Sequence, residues 1–555
     1  MGESSIVWRD IVSYKEKYNK WLDFDEDTRD ELLSISDENE IKDRFYKDLE
    51  FGTGGLRGIM GAGSNRMNTY TVRKATYGLA NYLIENFDDD RSVVIAYDSR
   101  NNSYEFAREA ALVFCACGIK SHIFDTLMPT PVLSYSVKHL SCSAGIVITA
   151  SHNPKEYNGY KVYDHNGCQL VPRYANEVIK YVNTVEDYEN IPTMNEGEAK
   201  SLGLLNIIGS EVVESFLNQV KKQSIYKAAS SLRVVYTPLH GTGNIPVRSI
   251  LKSFDVYVVK EQELPDGNFS TVKSPNPEDK AALKMAIEYA EEIRADIVLG
   301  TDPDCDRVGV AALHENEYKL LTGNQIGALL VYFVLSNKEL NDKSTLVKTI
   351  VTSELGANIA RKYGLHIVDT LTGFKYIGDQ ISLYEKTGNN EFVIGYEESY
   401  GYLVGTYARD KDAVVSSMLI CEMAAFYKEQ GKTLIDVLED IYTEYGYYND
   451  ALDSFTFKGA EGSQKIKDTM LKLRSIGKKL IENIDEIKDY NEGIDGLPRE
   501  NVLKYILNNG SWFAIRPSGT EPKLKVYYSI KDENREDSQI QLETIREKLN
   551  SIIES

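Results

Sequence analysis

Three aspartates stand two apart in Thr-Asp-Pro-Asp-Cys-Asp-Arg, at Asp302, Asp304 and Asp306, directly after the strand-like run Asp296 to Gly300. Carboxylates this close repel one another unless a cation neutralises them, and hard oxygen ligands suit Mg²⁺, Mn²⁺ or Ca²⁺. An EF-hand calcium loop does not fit. Its sixth position would be Arg307 rather than Gly, its twelfth Leu313 rather than Glu, and strand patterns flank it. A solvated acidic turn is the plainer reading of the same residues. Arg307, beside the cluster, is placed to pair with a phosphate oxygen facing the ion.

A second loop, Thr149-Ala150-Ser151-His152-Asn153-Pro154, follows the apolar run Ala144 to Ile148. A serine at a strand end is a candidate nucleophile, but GxSxG is absent, which argues against an α/β-hydrolase. A phosphoryl group on Ser151 would carry roughly −1.5 to −2 charge and balance a divalent ion. Asn158-Gly159-Tyr160-Lys161 then returns a cation. Taken alone, the Ser, His, Asn, Pro run also reads as a capped turn.

Phe51-Gly52-Thr53-Gly54-Gly55-Leu56-Arg57-Gly58 is a glycine-rich loop with a cation. Arg57 stands where GxGxxG needs its last glycine, and GK[ST] is absent, so dinucleotide and P-loop chemistry lose their main support. A flexible turn is the alternative. His240-Gly241-Thr242-Gly243 has no evident partner and reads as structural. Arg516-Pro517-Ser518-Gly519-Thr520-Glu521-Pro522-Lys523 joins a fork donor, two hydroxyls and a glycine-opened backbone, the makings of either a phosphate cradle or a surface turn. Glu397-Glu398-Ser399-Tyr400-Gly401 follows a strand and offers acceptors to sugar hydroxyls, with Thr372-Gly373-Phe374-Lys375 before it and Arg409 and Lys411 after it.

These loops need elements to hold them. Short β-rich runs alternate with helical patterns: Val93 to Ala96, a helix near Tyr104 to Cys117, Ile146 to Ile148, Val234 to Tyr236, Ile297 to Leu299, Val368 to Leu371 and Phe392 to Ile394. Such alternation implies α/β units, whose ligands gather beyond the carboxyl ends of strands. A helical pair precedes them, with Trp8, Ile11, Tyr18 and Trp21 on one helical period and Leu32, Ile41, Phe45 and Leu49 on a second after an acidic break. Lys221 to Ser231 and Tyr445 to Asn449 read as linkers. The chain closes on a strand, loop, strand pattern from Trp512 to Tyr528.

The 555 residues, 42% hydrophobic and 26% charged, correspond to about three or four domains. Their 63 Lys and Arg against 84 Asp and Glu give a net charge of −21, which argues against general affinity for nucleic acid or anionic membrane. Six cysteines without a CxxC pair suggest neither a disulfide framework nor zinc. The stretch from Met1 to Asp10 has no apolar signal core, and the longest apolar run, Gly327 to Leu335, is far short of the ~20 residues that span a bilayer. The expectation is a cytoplasmic protein.

Together and in this order, the loops resemble the α-D-phosphohexomutase superfamily, the phosphoglucomutase and phosphomannomutase enzymes, from about Phe51 to Tyr528. Four motifs match: Thr149 to Pro154, Asp302 to Arg307, Glu397 to Ser399 and Arg516 to Thr520. The resemblance implies an α/β protein: three consecutive mixed-sheet domains and a smaller α+β C-terminal domain around a central cleft. Its expected boundaries are a helical extension at 1–50, domain I at 51–208, domain II at 209–322, domain III at 323–445 and domain IV at 446–555.

It also implies roles. Ser151 would be the phosphorylated donor and a ligand of Mg²⁺ with Asp302, Asp304 and Asp306. Arg57, His152, Lys161 and Arg307 would surround the transferring group, with Lys161 handling protons. Thr372, Gly373, Lys375, Glu397, Ser399 and Lys411 would meet the sugar, and Arg516, Ser518, Gly519 and Thr520 the phosphate at rest. The implied reaction interconverts glucose 1-phosphate and glucose 6-phosphate through phosphoserine and glucose 1,6-bisphosphate. Pentose phosphates and then mannose phosphates are the alternatives, because the 372–375 loop resembles that of glucomutases while the Thr-Gly-Gly-Leu-Arg-Gly spelling resembles the branch with phosphopentomutases. An inactive sugar-phosphate-binding regulator and a phosphatase are rivals from other classes. The expected partner is a small sugar phosphate, with no nucleic acid or membrane, and the expected assembly is a monomer or homodimer.

Overall fold

Ala144–Ile148 is buried along its whole length, as is Ser92–Tyr97. Continuous apolar runs of this kind belong in the middle of a sheet covered on both faces. In the computed structural model, which describes residues 14–52, 54–227, 231–457, 459–518 and 523–554, these two strands pair in parallel at the centre of a six-stranded sheet. Across that sheet the order is Gly55–Ile59, Tyr157–Tyr163, Ala144–Ile148, Ser92–Tyr97, Lys120–Phe124 and Leu205–Ile208. Tyr157–Tyr163 runs antiparallel to Ala144–Ile148 and places Lys161 opposite Val147.

A second sheet is ordered Glu317–Leu321, Val308–His314, Ile297–Thr301, Arg233–Thr237 and Asp255–Val258. A third is ordered His366–Thr370, Ser344–Thr349, Glu391–Glu397 and Gly401–Val404. In both, parallel strands are joined by an antiparallel hairpin in which Thr301 pairs with Val308, or Glu397 with Gly401, and in the second sheet Glu317–Leu321 adds a further antiparallel edge. The fourth sheet, Tyr447–Thr456, Lys523–Asp532, Trp512–Pro517, Leu503–Leu507 and Ile484–Asp489, is antiparallel throughout. Each of the four motif loops therefore joins two antiparallel strands that are neighbours in both sequence and space. Three mixed α/β sheets and an antiparallel α+β unit are the fold class expected.

Among the described residues the N-terminal segment is helical over 14–21, Glu26–Ser34 and Glu38–Phe45. The acidic break supplies the caps: the Asp25 carboxylate accepts from the Thr28 amide and that of Asp37 from the Asn39 amide. Tyr14, Trp21, Leu32 and Phe45 then pack with Ala62 and Tyr188 of the first α/β unit. The stretch Met1 to Asp10, Gly519 and Thr520 lie outside the described residues. The linker expected at Tyr445 to Asn449 is corrected. Helix Leu434–Tyr445 ends at Gly446, in the positive-φ region at +94°, and the ten-residue strand Tyr447–Thr456 begins at once, its pairing with Lys523–Asp532 overriding its polar composition. Among the described residues no helix is long and apolar enough to cross a membrane.

The last unit is held by an apolar contact with the third. Ile350, Val351 and Leu371 pack against Tyr490, Val502, Trp512 and Tyr527. The buried Lys504 ammonium lies 4.1 Å from the Trp512 ring centre and donates to the Ile350 carbonyl at 2.7 Å. Trp512→Ala is expected to cost about 3–5 kcal/mol in the unfolding transition of this unit followed by denaturant, and a loss below about 1 kcal/mol would contradict the packing described.

Candidate active site

The Ser151 loop leaves the buried strand Ala144–Ile148 with its backbone already committed. Thr149 Oγ1 donates to Asp98 Oδ2 at 2.6 Å and accepts from the Ser151 amide at 2.8 Å. Ser151 itself has φ +52°, a left-handed conformation that a non-glycine residue keeps only when its surroundings hold it. Gly159 on the returning strand is required by proximity, since a Cβ there would lie 2.5 Å from the Thr149 carbonyl.

The aspartates occupy the tip of the hairpin between Ile297–Thr301 and Val308–His314. Asp302 Oδ1 accepts from the amides of Asp306 and Arg307 at 3.1 and 3.0 Å, which folds the tip inward. Ser151 Oγ donates to Asp302 Oδ2 at 2.7 Å. Lys161 Nζ lies 2.7 Å from Asp304 Oδ2 and 3.6 Å from Asp306 Oδ2, and Lys411 Nζ lies 3.1 Å from Asp306 Oδ2. Thr130 Oγ1 donates to Asp304 at 2.9 Å. Three of the four units thus converge on one point.

These residues suit a divalent cation. One oxygen from each aspartate lies within 4.8 Å of the others, and among the described residues Asp304 Oδ1 and Asp306 Oδ1 are buried with no hydrogen-bond partner. Burial, with Asp304 and Asp306 alongside, pushes the Asp302 carboxyl well above the usual range, whereas Asp304, although burial opposes its charge, is held below that range by Lys161. Burial likewise opposes the Lys161 charge, but Asp304 and Asp306 raise its pKa overall.

His240-Gly241-Thr242-Gly243, read as structural and partnerless, has the aspartate hairpin as its partner. The Thr242 amide donates to the Pro303 carbonyl at 2.8 Å, and a Cβ at Gly241 would stand 2.4 Å from Pro303 Cα. The stretch buttresses the aspartate loop from below, a contact between residues too distant in sequence for spacing to reveal.

His152 Nδ1 lies 3.3 Å from Ser151 Oγ, and burial, with Arg307 and Arg57 nearby, drives its pKa well down, keeping the ring neutral. Arg57 Nη1 donates to Asn153 Oδ1 at 3.5 Å. Arg307 is bonded to Glu278, with Asp306 Oδ1 3.8 Å from its Nε. Glu397 Oε1 accepts from the Gly373 amide at 2.9 Å; Thr372 Oγ1 is buried without a partner among the described residues, and Ser399 is half-buried.

Arg516 Nε donates to Glu500 at 2.7 Å, and the Ser518 amide to the Lys523 carbonyl at 2.8 Å. Burial lowers the Lys375 pKa; Glu500 opposes that shift and Arg516 adds to it, so the 372–375 loop and the 516–523 segment share one field. Lys525, not singled out from sequence, feels burial first and then Glu398, Arg516 and Arg307. Its signal was its place two residues past the cradle. Two cavities, about 320 Å³ beside His314 and Lys428 and about 200 Å³ beside Tyr82 and Asp164, lie away from this cluster.

Comparison with known proteins agrees with this architecture. Models of the phosphoglucomutase/phosphomannomutase α/β/α domains I, II and III match residues 48–189, 213–315 and 322–445, and that of the C-terminal domain matches 467–545. A phosphoglucomutase of Staphylococcus saprophyticus is 38% identical over 535 residues, 93% of this chain and 96% of its own. One of Staphylococcus haemolyticus is 39% identical over 511 residues, 89% of this chain and 92% of its own. Among solved structures, parafusin, a phosphoglucomutase of Paramecium in its open form, superposes with a TM-score of 0.72 at 16% identity, covering 92% of this chain and 95% of that one. A phosphoglucomutase/phosphomannomutase family protein of Burkholderia thailandensis gives 0.68 at 17% identity, covering 90% and 96%. A four-unit α/β architecture with a serine facing three carboxylates defines the class. The chain belongs to the phosphoglucomutase/phosphomannomutase family.

Asp304→Asn is expected to weaken Mn²⁺ binding, measured by EPR titration, by more than about tenfold while leaving the fold intact, and unchanged binding would remove the aspartates as the ion's ligands. Burial raises the Glu397 pKa from 4.5 to about 7, Lys411 opposing and Glu398 reinforcing. The folded chain therefore keeps a proton that the unfolded chain releases; the resulting stability is fully present below pH 4.5 and is lost as pH rises through about 7. Subtracting the Glu397→Gln stability profile from that of the unsubstituted protein should isolate this decline, and a flat difference across the window would contradict it.

Proposed function

We propose that the protein is a phosphosugar mutase that interconverts glucose 1-phosphate and glucose 6-phosphate through a phosphorylated Ser151 and a bisphosphorylated sugar. The observation that carries this reading is the 2.7 Å approach of Ser151 Oγ to Asp302 across two domains. The glucose preference is supported by relatives 38 and 39% identical that bear the name phosphoglucomutase.

In the first half-reaction the P–O bond to Ser151 Oγ breaks and a P–O bond to a free sugar hydroxyl forms. The hydroxyl loses a proton and Ser151 Oγ regains one. Neutral His152, at 3.3 Å from that oxygen, has a ring nitrogen able to accept a proton, and Lys161, kept charged by Asp304 and Asp306, has a proton to give. Arg57 and Arg307 offset charge on the transferring group. Asp302, Asp304, Asp306 and a phosphorylated Ser151 would hold Mg²⁺, which would neutralise more of that charge.

Glu397 and Ser399 accept sugar hydroxyls, with Thr372, Gly373 and Lys411 alongside. Arg516, whose charge reaches Lys375, and Ser518 hold the phosphate that is not being transferred; Gly519 and Thr520, expected to share that role, lie outside the described residues. After the bisphosphate turns over, the second phosphate returns to Ser151 by the same step reversed. Water has to stay out meanwhile, and closure of the last unit over the cleft would exclude it. Six free cysteines, five of them buried, support a cytoplasmic setting.

Ser151→Ala is expected to lower isomerisation by at least about 10³-fold with an unchanged circular dichroism spectrum, while near-full turnover would remove the nucleophile. A panel of hexose and pentose 1-phosphates, assayed with Mg²⁺ and a trace of the matching bisphosphate, should show glucose 1-phosphate turned over fastest. A faster pentose or mannose phosphate would move the substrate, and release of free phosphate without isomer would replace the mutase with a phosphatase.

A further inference from the structure

Arg100 touches none of the atoms that react, yet it is 3% exposed directly behind the Ser151 loop. Its Nη2 donates to the carbonyls of Ser151, at 2.5 Å, and of Asn153. Its Nη1 donates to those of Pro154 and Tyr157 at 2.8 and 3.0 Å. One guanidinium thus gathers four inward-facing carbonyls from the segment 151–157. The Ser151 carbonyl belongs to a buried residue, where polypeptide backbones avoid an unpaired group, while that of Pro154 also accepts from the Tyr157 amide at 3.1 Å.

The same group is tied to the other side of the loop. Arg100 Nε lies 3.3 Å from Asp98 Oδ2, and neither side chain has any exposed surface. Asp98 accepts from Thr149 Oγ1, the atom that in turn accepts from the Ser151 amide. The amide and the carbonyl of Ser151 are therefore both fixed by one buried ion pair, which holds the residue at φ +52°. Domain II closes the arrangement: the Phe269 ring centre lies 4.9 Å from the Arg100 guanidinium carbon, and Ser274 Oγ donates to the His152 carbonyl at 2.8 Å.

We propose that Arg100 is a positioning residue for phosphoryl transfer, its planar fork setting the left-handed turn that aims Ser151 at the aspartates, with Phe269 as the lid on that fork. The inference deepens the mutase reading and rests on it. Lysine keeps the charge but offers no rigid fork to several carbonyls at once, so the substitution separates geometry from charge. The groups assigned to the sugar and the resting phosphate lie on other units, so substrate affinity should be largely spared.

Arg100→Lys is expected to lower kcat per folded molecule by about 10²-fold, the scale of an ångström-size misplacement, with KM for glucose 1-phosphate within about threefold. In Arg100→Ala, millimolar guanidinium should restore part of kcat while equal ammonium does not, a response that a purely structural role would not give. A kcat for Arg100→Lys within twofold of the unsubstituted protein, a rise in KM at unchanged kcat, or equal rescue by ammonium would each overturn the assignment. If the unsubstituted protein itself turns over no sugar phosphate, the mutase reading fails. If it does and Arg100→Lys matches it, only this inference fails.

Discussion

Three carboxylates cannot share a water-poor pocket without compensating charge, and the rest of the molecule is arranged around that constraint. Asp302, Asp304 and Asp306 are all essentially buried, and the two ammonium groups nearest them come from different units, Lys161 from the first and Lys411 from the third. Coulomb attraction in so poorly screened a site is strong, and leaving either partner alone would be costly. The charge cluster therefore holds the units together, and on the proposed reading it also prepares a place for an ion and a phosphate. Ser151 belongs to it through Asp302, the group most reluctant to ionise.

The fold meets this constraint by one device used four times. Parallel strands make the stiff centre of each of the first three sheets, and an antiparallel neighbour turns the chain back at the edge of that centre. The Ser151 loop, the aspartate tip and the Glu398 turn each connect such a pair, and the Arg516 loop does so in the antiparallel fourth sheet. A hairpin tip has both ends fixed by ladder hydrogen bonds, which suits a group that must stay in place while charge moves past it. The price is backbone strain, visible at Ser151, Cys305 and Tyr400, each at positive φ.

Much of this was legible in the residues themselves. The spacing of the aspartates, the strand-like run before each loop and the cations after them placed the site on loops of α/β units, because strand periodicity and charge crowding are local properties. What escaped were long-range contacts. Nothing local marks Gly241 as the floor under Pro303, or Arg100 as the collector of carbonyls some 50 residues away. Asp98-Ser99-Arg100, polar residues directly after a fully apolar strand, was the one available hint. The run Tyr445 to Asn449 misled for the reverse reason: its polar, tyrosine-rich composition suggests a linker, but pairing with Lys523–Asp532 makes most of it a strand.

The central claim is that a phosphate on Ser151 and the three aspartates share one ion. Mn²⁺ in place of Mg²⁺ makes this visible by pulsed EPR, through the coupling of its electron spin to nearby phosphorus. Protein shown by mass spectrometry to be phosphorylated at Ser151 should give a strong ³¹P coupling without any sugar present, absent from Ser151→Ala. Tightly bound Mn²⁺ with no ³¹P coupling in the phosphorylated protein would contradict the account.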